Sequence, residues 1–162
     1  MTEKPSIAGI LQAAIALNPP EDPRIFVALA ERIAAERYRG WAESVDDEAR
    51  RRILLECAAR EEYIAGRVEA LRPDAVALQE QILKDHPDLS SQYKAVLDGM
   101  TLREQFAAQA EAECAGAAAW RAFAATCSDP KEAETLLSCA PLEEASAADL
   151  EQIIASMAET NR

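Results

Sequence analysis

The chain has 162 residues and a formal net charge of -12 at pH 7, and alanine and aliphatic residues dominate a composition with only five glycines. A strongly acidic surface repels phosphate groups, so we expect no nucleic-acid binding. The sequence has no cluster of lysine and arginine that would attract an anionic membrane, so we expect no membrane binding either. The alanine-rich, glycine-poor composition favours an all-α fold built from long helices.

The first predicted element is a short apolar helix over residues 7–17, which is too short to span a bilayer. Three prolines within residues 18–23 then break the chain. We therefore expect residues 1–22 to form a short helix and a linker ahead of a second unit, residues 23–162. Apolar helical stripes are usually buried, so docking on that unit is favoured over the alternative, a contact with a second subunit.

Residues 23–162 carry the pattern of four long helices with a long crossover between the second and the third. The predicted long helices run from residue 24 to about 43, from 48 to about 71, from 101 to about 127 and from 130 to about 159. The crossover, about residues 73–100, contains short helices of its own that are interrupted at His86-Pro87.

Polar residues at the expected helix starts support these boundaries. Residues 44–47 include good N-cap residues for the second long helix, and Thr101 with Glu104 forms a capping-box pattern for the third. Ser128-Asp129-Pro130 is typical of the start of a helix. Pro141 falls inside the fourth long helix, so we expect a kink or a break there.

An ungapped internal repeat relates the two halves of the chain. When each residue in 24–71 is compared with the residue 82 positions later, 15 of the 48 pairs are identical. Chance in so alanine- and glutamate-rich a chain gives roughly five, and a shared period indicates repeated architecture. Two similar helix pairs joined by a crossover predict a four-helix bundle with one long connection.

Each long helix has an apolar stripe that is expected to face a partner helix, here called its core stripe, and each core stripe carries one glutamate. These residues are Glu31, Glu61, Glu113 and Glu143. Four buried carboxylates must share protons, pair with cations or bind a metal, and no lysine or arginine lies on the core stripes. Oxygen ligands of this kind suit iron, manganese, magnesium or calcium, so the four glutamates are the predicted metal ligands. Glu62 and Glu144, one position further on, are weaker candidates that also suit an ordinary solvated position.

The arrangement resembles the ferritin-like and rubrerythrin-like di-iron carboxylate proteins. In that superfamily two helices each supply a single Glu and the other two each supply a Glu-x-x-His motif. Glu31 and Glu113 match the single glutamates, and Glu61 and Glu143 match the glutamates of the paired motifs. The segment from Ala30 to Tyr38 is similar to a rubrerythrin first helix. The resemblance implies a ferritin-like bundle over about residues 24–158, bound iron and association into dimers.

The histidines of that pattern are missing from this chain. Ile64 and Ser146 stand three residues after Glu61 and Glu143, and the only histidine, His86, lies in the crossover, where we expect a surface loop residue. Without imidazole ligands a metal would be held by carboxylates and water, which weakens both affinity and redox tuning. If the protein is an enzyme, the resemblance implies a non-haem di-metal oxidoreductase, and whether it is one stays open.

Three functions remain open at this stage. The leading hypothesis is a histidine-free carboxylate centre that binds a divalent metal, iron or manganese. The first alternative is a metal-free ferritin-like scaffold that acts by partner binding or oligomerisation, with its central carboxyls protonated or hydrogen-bonded to Tyr38 and Ser146. The second alternative is a small-molecule binder in a pocket where metal ligands have been lost. Five residues near the predicted centre are smaller or less polar than typical ligands, namely Ile64, Ala65, Gly116, Ser146 and Ala147.

The four cysteines and the apparent lack of a signal peptide favour a cytoplasmic protein with reduced thiols. None of the cysteines forms a C-x-x-C pair. Cys57 and Cys139 stand one helical turn before Glu61 and Glu143, but buried free cysteine more often behaves as a small apolar residue than as a ligand. We therefore expect packing from them.

Overall fold

The computed structural model describes residues 5–159, and within that range it contains seven helices and no strand. The helices are α1 (Ile7–Leu17), α2 (Pro23–Ser44), α3 (Glu48–Glu69), α4 (Ala75–Asp85), α5 (Leu89–Leu97), α6 (Leu102–Thr126) and α7 (Pro130–Glu159). The prediction of an all-α fold is confirmed. Residues 1–4 and 160–162, at the outer ends of the two predicted units, lie outside the described residues.

Side-chain caps begin the long helices where the sequence predicts them. Asp22 accepts a hydrogen bond from the backbone N–H of Arg24 at the start of α2, and Asp47 accepts one from Arg50 at the start of α3. Thr101 and Glu104 form the predicted capping box at the start of α6. Because these caps satisfy N–H groups that have no partner inside the helix, each contributes about 1 kcal/mol to its helix.

Pro141 does not interrupt α7, so the predicted break is not found. The helix runs from Pro130 to Glu159 with Pro141 inside it. A proline lacks the N–H that would reach the carbonyl of Leu137, four residues earlier. Both residues lie on the exposed side of α7, where water can bond to that carbonyl. The helix therefore loses one internal hydrogen bond without leaving a buried group unpaired.

The four long helices pack in pairs, and the pairs meet through α3 and α7. Helix α2 lies along α3, α6 lies along α7, and α3 packs against α7. Helix α1 packs against α5, α6 and α2, burying Ile7, Ile10 and Ala14, while α4 packs against α2. The first helix is therefore docked on the long helices of the same chain, as the sequence analysis favoured.

The core falls into two apolar clusters that flank the level of the central glutamates. One contains Phe26, Trp120 and the buried face of α1, and the other contains Tyr38, Trp41 and Phe106. The rings of Trp41 and Phe106 meet edge to face with centroids 5.1 Å apart. Of the described helices, none is long and apolar enough to cross a membrane.

Candidate metal centre

The four predicted glutamates are all buried, one on each long helix. Glu31 comes from α2, Glu61 from α3, Glu113 from α6 and Glu143 from α7. The most exposed of them, Glu31, keeps only 7 % of its surface accessible, and Glu61 keeps none. The 3.6-residue period that places the apolar residues of each helix on its inner side also brings these carboxyl groups inside. They are called the glutamate cluster below.

Three members of the glutamate cluster lie close enough to share one ion. Glu31, Glu61 and Glu143 each offer one carboxylate oxygen within 4.8 Å of the other two. The carboxyl of Glu31 is within hydrogen-bonding reach of those of Glu61 and Glu143, and Glu143 is within reach of Glu113. Carboxyl groups in such contact need a proton or a cation between them, because two carboxylates repel each other.

The carboxyl of Glu113 is held by two donors on its other side. The Tyr38 hydroxyl donates to Glu113 Oε1 over 2.6 Å, and the Gln109 side-chain amide donates to the same atom over 2.7 Å. Two donors fix the orientation of that group, so its second oxygen is the one left for the centre.

Glu61 and Glu143 each receive one hydrogen bond, from different kinds of donor. Ser146 Oγ donates to Glu61 Oε1 over 3.0 Å, and the Trp120 indole N–H donates to Glu143 Oε1 over 2.6 Å. Ser146 stands on α7, three residues after Glu143, and through this bond it orients a glutamate of the neighbouring helix α3.

Burial raises the pKa values of the clustered carboxyls. Burial, and after it the negative charge of Glu113, raise the pKa of Glu31 to about 7. Burial also raises the pKa values of Glu61 and Glu143 well above the ordinary 4.5, and the neighbouring glutamates add to the effect. Without a cation, the cluster therefore keeps protons at neutral pH.

Two carboxylate oxygens in the cluster have no donor. Glu61 Oε2 and Glu113 Oε2 are buried, and among residues 5–159 no N–H or hydroxyl group donates to either atom. A buried polar atom without a partner costs about 1–3 kcal/mol, and more if it is charged. A shared proton or a bound cation would satisfy both atoms, so the oxygen atoms present fit a cation.

Gly116 gives the carboxyl of Glu143 the space that it occupies. A Cβ atom at position 116 would lie 2.7 Å from Glu143 Oε1 and 2.9 Å from its Cδ, closer than such atoms approach. The residue 82 positions earlier is Ala34, whose side chain has that Cβ. The glycine therefore lets the carboxyl of Glu143 lie close to the backbone of α6. The Cβ atom of Ala34 leaves no such space at the corresponding position of α2.

A partly enclosed pocket of about 240 Å³ adjoins the glutamate cluster. Glu31, Glu113 and Glu143 line it on one side. Apolar residues of α1 and small residues of α2 and α6 form the rest of its wall, including Ile7, Leu11, Ile15, Ala30, Ala34, Ala112, Ala115 and Ala119. The small side chains on the facing sides of α2 and α6 leave this space open beneath α1.

Arg37 is a site residue that the sequence reasoning missed. It lies beside the core stripe of α2, one position before Tyr38, and its long side chain reaches the pocket. Its guanidinium donates to Gln109 Oε1 over 2.5 Å and lies over the ring of Tyr93, 5.5 Å from the centroid. The sequence signal was an arginine flanking a buried stripe, a position from which long side chains often fold along an apolar surface.

The structure places the two weaker ligand candidates at the surface. Glu62 pairs with Arg39 over 2.5 Å, and Glu144 pairs with Arg121 over 2.7 Å. These four residues are related by the 82-residue repeat, so the same ion pair occurs in both halves. Glu62 and Glu144 are therefore explained as solvated partners of arginine, outside the glutamate cluster.

Cys57, Cys139 and His86 do not belong to the group of side chains that could share one ion, which consists of Glu31, Glu61 and Glu143. Both cysteines are fully buried and free, and burial raises the pKa of Cys57 to about 12 and that of Cys139 to about 11. Because a metal binds the thiolate, such thiols are poor ligands. His86 is partly buried, with its ring against Phe26 at 5.3 Å between centroids.

The centre thus offers only oxygen ligands, from four helices, and all four side chains are buried. Carboxylate oxygens favour hard divalent cations, and neighbours that hydrogen-bond those carboxylates fix their orientation in advance. Comparison of the chain with protein-family models, with curated proteins and with solved structures gives no match.

Proposed function

We propose that the protein is a ferritin-like four-helix bundle, with two related helix pairs, whose glutamate cluster binds a divalent metal ion, manganese or iron. Glu31, Glu61 and Glu143 would hold the ion, and Glu113 would complete the centre from α6. The dimer and the cytoplasmic location suggested by the sequence accompany this proposal as predictions.

The observation that carries the proposal is the pair of buried oxygens without a donor, Glu61 Oε2 and Glu113 Oε2. The N–H and hydroxyl donors to these two carboxyls lie outside the cluster, Ser146 for Glu61 and Tyr38 with Gln109 for Glu113. All three bond to Oε1, so in both carboxyls Oε1 is anchored and Oε2 receives no such hydrogen bond. That division is the one expected of carboxylates oriented for a cation.

The residues around the centre have separate roles in this proposal. Tyr38 and Ser146 hold two carboxyls in place, Trp120 holds a third, and Gly116 lets the third approach. Because burial raises the pKa values of Glu31, Glu61 and Glu143, metal binding should release protons. Bound iron or manganese would supply Lewis acidity and one-electron redox chemistry, so an oxidoreductase is the class of enzyme that such a centre would support.

A metal-free scaffold is the second candidate, and a specific observation favours it too. The hydrogen bonds from Tyr38 and Ser146 to cluster carboxyls are those expected if shared protons satisfy the centre. In that case the carboxyls would contribute only to packing, and the protein would act through a partner or as an oligomer. The two candidates differ in one measurable respect, which is the response to divalent metal.

The experiment is a calorimetric titration of chelator-treated protein with Mn²⁺, and anaerobically with Fe²⁺, at pH 7.5. We expect near-stoichiometric binding with proton release. At a free metal concentration 100 times the dissociation constant, the stabilisation is about 2.7 kcal/mol. At about 2–4 °C per kcal/mol for a chain of this size, the melting temperature should rise by roughly 5–10 °C.

The double variant Glu31→Gln with Glu113→Gln should abolish this binding. The matched control is Glu62→Gln with Glu144→Gln, which makes the same change of charge on the surface, on helices α3 and α7, and should bind metal like the wild type. Absence of metal binding by the folded wild type would refute the proposal and favour the metal-free scaffold. Equal loss of binding in both double variants would show that overall charge, rather than the centre, attracts the ion.

A further inference from the structure

The pocket beneath α1 has one polar end and one apolar end. Along α2 its lining runs from Val27 to Arg37, and along α6 from Gln109 to Phe123. Arg37 and Gln109 are hydrogen-bonded to each other, so the polar ends of the two helices coincide. Residues 27 and 37 are separated by about 15 Å along α2, at 1.5 Å per residue. The space is therefore elongated and suits a molecule with a head and a tail.

Arg37 forms no ion pair within residues 5–159, whereas Arg24 and Arg32, for example, each do. The charges of Glu113 and Glu31 act on Arg37 only through space. Gln109 uses one of the five N–H donors that a guanidinium carries. The planar fork of a guanidinium matches a carboxylate with two parallel hydrogen bonds. The ring of Tyr93 lies beneath the guanidinium.

Arg37 is the positive group of this pocket. Glu31, Glu113 and Glu143 line the same space, and among the described lining residues Arg37 alone is cationic. A carboxylate that enters the pocket therefore has one group there with which it can pair.

We propose that this pocket binds a small apolar monocarboxylate, with its carboxylate on Arg37 and its hydrocarbon part between the small side chains of α2 and α6 beneath α1. A cavity of about 150 Å³ holds a benzene molecule. A pocket of about 240 Å³ therefore suits a chain of medium length or a ring with a short tail. Arg37 and the apolar residues that would hold this molecule are not among the proposed metal ligands. Binding of the monocarboxylate and binding of a metal can therefore be tested independently.

The test measures binding of sodium octanoate to the chelator-treated protein by calorimetry, with octan-1-ol as the uncharged comparison. Octanoate should bind the wild type, and Arg37→Gln should weaken that binding about tenfold or more, because a charge-assisted hydrogen-bonded pair is lost. The same substitution should change octan-1-ol binding little. Arg103→Gln is the matched control, since Arg103 is exposed on α6 outside the pocket lining, and it should bind octanoate like the wild type.

A second pair of variants locates the hydrocarbon part. Ala119→Leu fills part of the pocket wall and should weaken octanoate and octan-1-ol binding together, whereas the exposed neighbour Ala118→Leu should not. Circular dichroism establishes that each variant is folded. No octanoate binding by the folded wild type, or equal binding by wild type and Arg37→Gln, would overturn the inference. Octanoate binding without any Mn²⁺ or Fe²⁺ binding would leave it standing and would refute only the metal centre.

Discussion

Replacing Glu31 by glutamine should remove much of the pH dependence of the stability of the metal-free protein. Burial raises the pKa of Glu31 from the ordinary 4.5 to about 7 in the folded chain. Below about pH 4.5 the group is protonated in the folded and unfolded states alike. As the pH rises above that value the unfolded chain loses its proton first, so the free energy of unfolding falls until about pH 7.

The size of this change follows from the two pKa values. Each pH unit between 4.5 and about 7 corresponds to about 1.4 kcal/mol, which gives about 3 kcal/mol for Glu31. For a chain of this length that is a fall of roughly 6–12 °C in melting temperature between pH 4.5 and pH 7. Burial also raises the pKa values of Glu61 and Glu143, so both groups contribute to the fall in the same direction.

The assay is thermal unfolding by circular dichroism from pH 4.5 to pH 8 with a chelator present. The slope of melting temperature against pH should be clearly shallower for Glu31→Gln than for the wild type. Glu111→Gln removes the same charge from an exposed position of α6, and it should keep the wild-type slope. Parallel slopes for the wild type and Glu31→Gln would refute the argument that a buried, protonated Glu31 controls this behaviour.

Two further predictions concern the neighbours of the cluster. Gly116→Ala should displace the carboxyl of Glu143 and lower the affinity for Mn²⁺ about tenfold. Its free energy of unfolding should change by only about 1 kcal/mol, because alanine favours the helix. The control is Ala34→Gly, at the repeat-related position, which should lose about 1 kcal/mol of stability by urea unfolding and keep the wild-type affinity for Mn²⁺. Tyr38→Phe leaves Glu113 with one donor and should cost about 1–3 kcal/mol by urea unfolding, so a change below about 0.5 kcal/mol would contradict the role of that hydrogen bond.

The sequence predicts the helices and the burial of the four glutamates because both depend on local periodicity. A glutamate at a 3.6-residue spacing from apolar neighbours must face the same way as they do, and the 82-residue repeat makes the same prediction twice. The capping box at Thr101 is likewise a local pattern, and it lies where expected. Glu62 and Glu144, one position away, are carried to the surface by the same geometry.

The pocket and Arg37 could not be predicted in this way. The pocket depends on the distance between α2 and α6 and on the place where α1 docks. The residue pattern of a single helix determines neither of these features. Arg37 lies beside a core stripe, and its position alone does not tell which neighbours its side chain reaches; only the structure brings its guanidinium to Gln109 and Tyr93. The continuity of α7 through Pro141 depends in the same way on which side of the helix is exposed.

The places where the repeat fails carry as much information as the places where it holds. Three pairs of unlike residues 82 positions apart surround the glutamate cluster and the pocket, namely Ala34 and Gly116, Ile64 and Ser146, and Arg37 and Ala119. The serine gives Glu61 a donor that the isoleucine cannot give to Glu143, which turns instead to Trp120 and to the space at the glycine. Glu61 and Glu143, which the repeat relates, therefore have different hydrogen-bond partners, although burial raises the pKa of both. A cation entering the centre would displace protons from a site whose two halves are no longer equivalent.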